Sequence, residues 1–123
     1  MAAGVRVFRP EHRLRQPAEF AAVIADSRRL GGRHFDLRFR GNGGTWARLG
    51  LIVPKRLARR AVLRNTLKRL ARESFRQALP SLPAVDLVLR LTRPPVPKGG
   101  EISRPLRLAW RLELDELLAS VPR

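Results

Sequence analysis

The stretch KRLARRAVLRNTLKRLARESFR, from Lys55 to Arg76, is the part of the chain that decides its fold. Apolar residues recur in it and just after it at helical spacing: Leu63, Leu67, Leu70, Ala71, Phe75 and Ala78. Cationic residues recur every four positions on another face: Arg60, Arg64, Lys68, Arg72 and Arg76. Because a helix turns by about 100° per residue, this second row drifts by about 40° per step and winds slowly around the axis. The stretch therefore predicts a helix with one face on a core and a second, cationic face.

Acidic residues do not balance this cationic face. Eight cations lie between Lys55 and Arg72, and the first carboxylate is Glu73. Like charge at this density repels itself unless a polyanion lies against it. The whole chain carries a formal net charge of +16 and has a pI near 12.0. This charge favours a nucleic-acid partner over a membrane surface, since no exposed Trp or long apolar run is expected beside the helix.

Length and composition limit the classes of protein to which the chain can belong. With 123 residues and 44% apolar content, the chain is expected to form one domain with a modest core. It has no cysteine, which excludes disulfides, thiolate metal sites and thiol nucleophiles. No apolar run resembles a signal peptide or reaches transmembrane length. We therefore expect a soluble, cytoplasmic protein.

The hydrophobic periodicity predicts six elements in the order α-β-β-α-β-α. In chain order they are a helix over 17–27, strands over 34–40 and 46–53, the basic helix over 59–79, a strand over 85–92, and a helix over 103–120. The turn residues Gly41 to Gly44 predict that the first two strands are antiparallel partners. Residues 1–15 are predicted to be a flexible basic arm, and residues 16–121 a single domain.

The sequence predicts no catalytic or metal site. His12 and His34 have no carboxylate or second histidine at ligand spacing. Glu113, Asp115 and Glu116 cluster on the last helix, and Glu113 shares a face with Glu116. A magnesium site there is one interpretation. The favoured interpretation is a solvated surface that faces away from a nucleic acid.

The segment RNTLKRLARESFR, from Arg64 to Arg76, resembles a helix of the protein subunit of bacterial ribonuclease P, a family with the pattern RNRxKRxxRExFR. The family places a strand of the kind RxGLxVxKK before this helix, and residues 48–56 of this chain read RLGLIVPKR. Weaker matches occur at Arg13-Leu14, Glu19-Phe20, Arg33 to Phe35 and Asp86. The resemblance covers about residues 12–93.

The resemblance implies a fold and a function. The fold would be a compact α/β (α+β) domain, like domain 2 of ribosomal protein S5, with a left-handed βαβ crossover in place of the right-handed default. The partners would be a catalytic RNA and precursor tRNA, whose 5′ leader the RNA itself removes. The protein would be a non-catalytic subunit, monomeric when free. Mg²⁺ would be held mainly by the RNA and the substrate, and none by the protein alone.

The resemblance also assigns residues to two surfaces. The RNA-binding residues would be Lys55, Arg56, Arg60, Arg64, Asn65, Lys68, Arg69 and Arg72. A cleft for the leader would hold Phe20, Ile24 and Arg38, although periodicity alone places Phe20 in the core. Aromatic residues are common at the positions of Ile24 and Arg38 in this family, so only Phe20 remains as an aromatic platform, and Arg38 could stack through its guanidinium plane. Thr66 replaces the second Arg of the RNR triplet, so a phosphate contact is lost or is made by a hydroxyl.

Three other functions remain as alternatives. A structural RNA-binding protein, such as a ribosomal protein, could use the same basic helix. A protein-only nuclease would need clustered carboxylates for two metal ions, and the ten acids of this chain are scattered. A helix-turn-helix DNA-binding protein fits poorly with strands on both sides of the basic helix.

Overall fold

The part of the chain that the structure describes, residues 10–97 and 100–123, is organised around a sheet of four strands. The structure is a computed structural model. The helices and strands, in chain order, are α1 (Pro17–Ala25), β1 (Arg28–Gly31), β2 (Phe35–Gly41), β3 (Arg48–Ile52), α2 (Ala61–Ala78), β4 (Val85–Leu91) and α3 (Arg104–Ala119). Short 3-10 turns lie at Pro10–His12 and Leu79–Ser81. The predicted order is confirmed, with β1 as an additional short strand.

The strands lie in the order β1-β2-β4-β3, so the last strand of the sequence occupies an interior position. β4 is antiparallel to β2 and parallel to β3. The prediction that 34–40 and 46–53 are paired neighbours is therefore wrong, although the chain does reverse direction between them. The physical reason lies in β4 itself, which is buried at every residue except Arg90 and so fits between two other strands.

The two faces of the sheet carry cores of different size. The larger core lies under α2 and α3 and includes Leu37, Leu87 and Leu89 from the sheet. Phe75 of α2 and Trp110 of α3 are fully buried in it. The smaller core lies under α1 and is formed by Leu14, Val23 and Val88, with Phe20 and Ile52 at its margin. Truncating one of the fully buried leucines would cost about 2–5 kcal/mol.

Local signals in the sequence explain where the helices begin. Pro17 occupies the first turn of α1, and Glu19 Oε1 accepts hydrogen bonds from the backbone N–H groups of Arg15 and Gln16, both at 2.9 Å. Ser103 is the N-cap of α3, where its hydroxyl accepts from Leu106 N at 3.3 Å. Both starts agree with the predicted ones.

The described residues include 10–15, the last part of the predicted flexible arm. Residues 1–9 of that arm lie outside the described residues. Residues 10–15 contact the sheet: Leu14 is buried, and its backbone N–H donates to Leu49 O at 2.9 Å. This segment covers the outer edge of β3, the last strand of the sheet among the residues that the structure describes. In the described ranges, no helix has both the length and the apolar character that a membrane span needs.

Candidate nucleic-acid interface

The two faces of α2 differ as its sequence predicts. Its buried residues are Leu63, Thr66, Leu67, Ala71, Ser74 and Phe75. On the opposite side, Asn65, Arg69 and Arg76 are exposed, and Arg64, Lys68 and Arg72 are half-buried. We call these six residues the cationic face. The loop before α2 adds the exposed residues Lys55, Arg56, Arg59 and Arg60.

Arg64 does more than add charge to this face. Its Nη1 donates to the carbonyl oxygens of Ala58 and Arg59, at 3.0 and 2.7 Å. These bonds hold the loop that carries Arg59 and Arg60 in a fixed position at the start of α2. Arg64 is therefore a structural residue as well as a candidate RNA contact, and its removal would change the loop.

Thr66 lies on the buried side of α2 and not on the cationic face. It is 6% exposed, and its hydroxyl donates to Val62 O at 2.7 Å, one turn earlier in the same helix. The suggestion that this hydroxyl replaces an arginine-phosphate contact is therefore wrong. In this chain, the third residue of the triplet contributes to packing.

Arg13 and α2 form the two sides of a groove of about 380 Å³. It is lined by Arg13, Asn65, Arg69, Arg72, Glu73 and Arg76, and we call it the arginine groove. Among the described residues that line it, Glu73 is the only carboxylate, and Arg111 also engages it at 3.5 Å. Burial lowers the pKa of Arg72, and the nearby charge of Arg13 lowers it further. An arginine keeps its charge at any physiological pH, so like charges are held together in this groove until an anion enters.

Two cations of the arginine groove are missing from the predicted RNA-binding residues. Arg76 continues the four-residue row of α2, so periodicity already indicated it. Arg13 is 36 positions before Leu49 in the sequence but pairs with it in space. No local pattern could place Arg13 beside α2.

Phe20 projects from α1 onto the edge strand β3, beside residues of α2. Its ring rests on Gly50, where an added Cβ would lie 2.6 Å from Phe20 Cζ. Phe20 also lines a small hollow with Arg13, Lys68 and Arg72. The structure thus brings the predicted aromatic platform next to two of the predicted RNA-binding cations.

The other two predicted cleft residues do not line this hollow; one lies on α1 and the other on β2. Ile24 is 39% exposed, one turn after Phe20. Arg38 on β2 pairs with Val88, which in turn pairs with Gly50, so Arg38 is two strands from the position under Phe20. That separation is about 10 Å. The buried Nε of Arg38 has no hydrogen-bond partner.

An ion-pair network that the sequence did not reveal joins α1 to the sheet. Arg48 donates to both carboxylate oxygens of Asp86, each at 2.8 Å, and to Glu19 Oε2 at 2.9 Å. The hydrogen bonds to Asp86 raise the pKa of Arg48, against the opposing effect of burial. The pKa of Glu19 is lowered, mainly by the backbone N–H groups of Gln16 and Arg15 and further by Arg48. This network fixes the orientation of α1, and therefore of Phe20.

The acids of α3 mostly have structural partners. Glu113 accepts from the backbone N–H groups of His34 and Phe35 at 2.8 and 2.7 Å, and His34 Nδ1 lies 3.0 Å from its other oxygen. Asp115 is bonded to Ser74 and Arg111. Within 10–97 and 100–123, no group of three or more His, Asp or Glu side chains is placed to hold a metal ion.

The fold and the cationic face define a small α+β protein with a row of cations along one face of a helix. The family model described as Ribonuclease P matches residues 8–99. A ribonuclease P protein component of Azoarcus sp. is 43% identical over 112 residues, which cover 91% of this chain and 88% of that protein. One of Bordetella petrii is 40% identical over 117 residues, with 91% and 93% coverage. The chain therefore belongs to the ribonuclease P protein component family.

Solved structures agree with this assignment. The RNase P protein of Thermotoga maritima gives a TM-score of 0.74 at 28% identity, covering 90% of this chain and 98% of that one. The RNase P protein of Staphylococcus aureus gives a TM-score of 0.74 at 27% identity, covering 88% and 93%. The predicted fold class is thereby confirmed.

Proposed function

We propose that this protein binds the catalytic RNA of ribonuclease P and the 5′ leader of precursor tRNA, and thereby promotes 5′ maturation of tRNA. The RNA-binding surface is the cationic face with the loop before it, including Lys55, Arg56 and Arg60. One observation supports this most: Arg69, Arg72 and Arg76 of α2 line one groove together with Arg13, and the groove's carboxylate, Glu73, already has a cationic partner.

Counterion release is the physical basis of the proposed binding. Each phosphate that a cation neutralises contributes about −0.7 to −0.9 to the slope of log K against log salt concentration. The four arginines of the arginine groove would give a slope of about −3, and the loop cations would make it steeper. The protein would also screen repulsion between phosphates and so lower the magnesium concentration that the catalytic RNA needs.

The leader would lie against α1 and the sheet. Phe20 offers a ring for base stacking beside Lys68 and Arg72, which can hold the adjacent phosphates. Ile24 adds exposed apolar surface, and Arg38 adds a guanidinium on the same face of the sheet. Binding to the leader would distinguish precursor from mature tRNA, because mature tRNA has no leader.

The chemistry would belong to the RNA. Glu113 and Asp115 hold backbone and side-chain partners within the fold, and Asp86 is paired with Arg48. We therefore assign the protein no nucleophile and no resident metal ion, and place Mg²⁺ on the RNA and the substrate. A net charge of +16 opposes self-association, so we propose that the protein is monomeric when free. We also propose that it acts in the cytoplasm.

Reconstitution with the cognate RNA tests the proposal. The variant Lys68→Ala/Arg69→Ala removes two charges from the cationic face, and it avoids Arg64 because that residue holds a loop. The matched control, Arg104→Ala/Arg107→Ala, removes two exposed charges from α3. We expect the first variant to reduce the salt slope by about 2 and to impair precursor cleavage at low magnesium. The control variant should match the unmodified protein.

The proposal fails if the two double variants weaken RNA binding equally, since the attraction would then be non-specific. A structural RNA-binding protein would instead bind RNA through α2 without stimulating cleavage at low magnesium. Cleavage of precursor tRNA by the protein free of RNA would favour a protein-only nuclease.

A further inference from the structure

Trp46 is an exposed aromatic residue that contacts Glu11 and His12, the two residues before Arg13 of the arginine groove. Its relative exposure is 44%, and it is the only Phe or Trp among the described residues that is exposed. An exposed Trp is not expected from the sequence, and Trp46 therefore corrects that expectation. A large aromatic surface left in water is a common feature of single-stranded nucleic-acid sites.

The indole of Trp46 is held in one orientation. Its Nε1 donates to Glu11 O at 3.1 Å, and the His12 ring lies nearly perpendicular to the indole with centroids 5.9 Å apart. Asn42 Nδ2 donates to Trp46 O at 3.0 Å and also to Asp86. The loop between β2 and β3, which carries Trp46, is therefore tied to β4. Because the indole N–H is used internally, a partner can meet Trp46 only through the surface of its ring.

The position of Trp46 links it to the cations of α2. Trp46 contacts Glu11 and His12, and the next residue, Arg13, lines the arginine groove. A nucleic-acid strand that follows the arginines of the groove past Arg13 would reach the indole. A row of cations followed by a fixed, exposed aromatic ring is the combination that binds single strands.

We propose that an unpaired nucleotide of RNA bound in the arginine groove stacks its base on the indole of Trp46. The proposal rests on the proposed RNA-binding role of the cationic face. It places a second stacking position outside the cleft of Phe20, Ile24 and Arg38. The ring provides affinity for bases without reading their identity, because every base has a stacking face.

Tryptophan fluorescence can report on this position directly. The other tryptophan, Trp110, is fully buried, and its Nε1 donates to Pro95 O. The probe is a short single-stranded oligoadenylate RNA, compared with a strand of equal length and charge that has no bases. We expect the oligoadenylate to quench the emission and the abasic strand to leave it nearly unchanged. The Trp46→Phe variant, which retains only Trp110, should show no quenching.

Affinity measurements separate stacking from structure. Trp46→Leu should weaken oligoadenylate binding by about 5- to 100-fold and leave abasic-strand binding within twofold. Trp46→Phe keeps a ring but loses the bond to Glu11, and it should retain most of the affinity. If Trp46→Phe binds as poorly as Trp46→Leu, the effect comes from the lost hydrogen bond and the stacking proposal is wrong. Thermal unfolding of both variants confirms that each is folded at the assay temperature.

Two RNAs could supply the nucleotide, and the holoenzyme distinguishes them. Weaker assembly of Trp46→Leu with the catalytic RNA would assign the base to that RNA. Normal assembly with weaker precursor binding would assign it to the precursor. If Trp46→Leu changes neither assembly nor precursor binding while Lys68→Ala/Arg69→Ala weakens them, the Trp46 proposal is overturned and the proposed function stands. If neither variant is impaired, the proposed function itself fails.

Discussion

The ring of Phe20 lies directly on the α-carbon of Gly50, with no room for a side chain between them. An added Cβ would come within 2.6 Å of Phe20 Cζ and 3.2 Å of Leu14 Cβ. The contact joins α1 to the edge of the sheet, and it keeps the aromatic ring next to Lys68 and Arg72.

Gly50→Ala should therefore displace Phe20 and destabilise the protein by about 1–3 kcal/mol. Urea unfolding measures the loss. Gly41→Ala is the matched control, because a Cβ at that strand residue meets nothing within 4 Å, and its stability should be nearly unchanged. Equal stabilities for the two variants would contradict the close contact. We also expect Gly50→Ala to reduce affinity for leader-containing precursor more than affinity for mature tRNA.

Glu113 connects α3 to the start of β2, where it accepts from two backbone N–H groups. Glu113→Ala leaves those partly buried donors without a partner and should cost about 1–3 kcal/mol. Glu116→Ala, one turn away and exposed, should change the stability by less than about 0.5 kcal/mol. RNA affinity, measured well below the melting temperature, should be unaffected by either change. A loss of RNA affinity in Glu113→Ala alone would indicate that α3 contributes to the interface.

The lowered pKa of Glu19 makes stability depend on pH. Its ordinary value is 4.5, and the folded carboxyl binds fewer protons than the unfolded one because backbone N–H groups and Arg48 favour the charged form. The contribution of Glu19 is therefore complete above about pH 4.5 and is lost as the pH falls through the lower pKa of the folded state. Unfolding of the unmodified protein and of Glu19→Gln, followed from pH 7 to pH 3, should show a stability difference that shrinks on acidification. A difference that stays constant down to pH 3 would rule out this linkage.

Thr66 and Asn65 are adjacent in sequence, but Thr66 is buried against the core and Asn65 is exposed on the cationic face. Thr66→Val removes a buried hydroxyl that is bonded to Val62, and RNA affinity should remain within twofold. Asn65→Ala removes an exposed amide from the arginine groove and should weaken RNA binding by about 1 kcal/mol. Filter binding at fixed salt measures both. A stronger effect from Thr66→Val than from Asn65→Ala would reverse the assignment of the two faces.

The sequence predicted those features that depend on local periodicity. The bounds of α2 and β4 follow from apolar spacing, and the start of α3 follows from Ser103 as N-cap. The partner of β3 could not be predicted in this way. A turn at Gly41 to Gly44 indicates that the chain reverses, but which strand fills the gap depends on packing with residues more than thirty positions later.

The site was predictable to a similar extent. Helical spacing identified the cationic face, and the same spacing also puts Thr66 with Leu63 and Leu67, so its burial could have been found without the structure. The arginine groove could not have been predicted from spacing. Arg13 is placed beside α2 by its bridge to Leu49, in which Leu14 N donates to Leu49 O. The exposure of Trp46 depends in the same way on the distant carbonyl of Glu11.

The interior position of β4 has a consequence for how the protein is made. While a ribosome is still synthesising residues before Val85, β3 has no strand on its inner side and β2 lacks one of its two neighbours. The basic helix α2 therefore leaves the exit tunnel before the sheet that supports it can close. Because β4 is the strand that joins β2 to β3, the sheet under this polycationic helix closes only after residues 85–91 have been added.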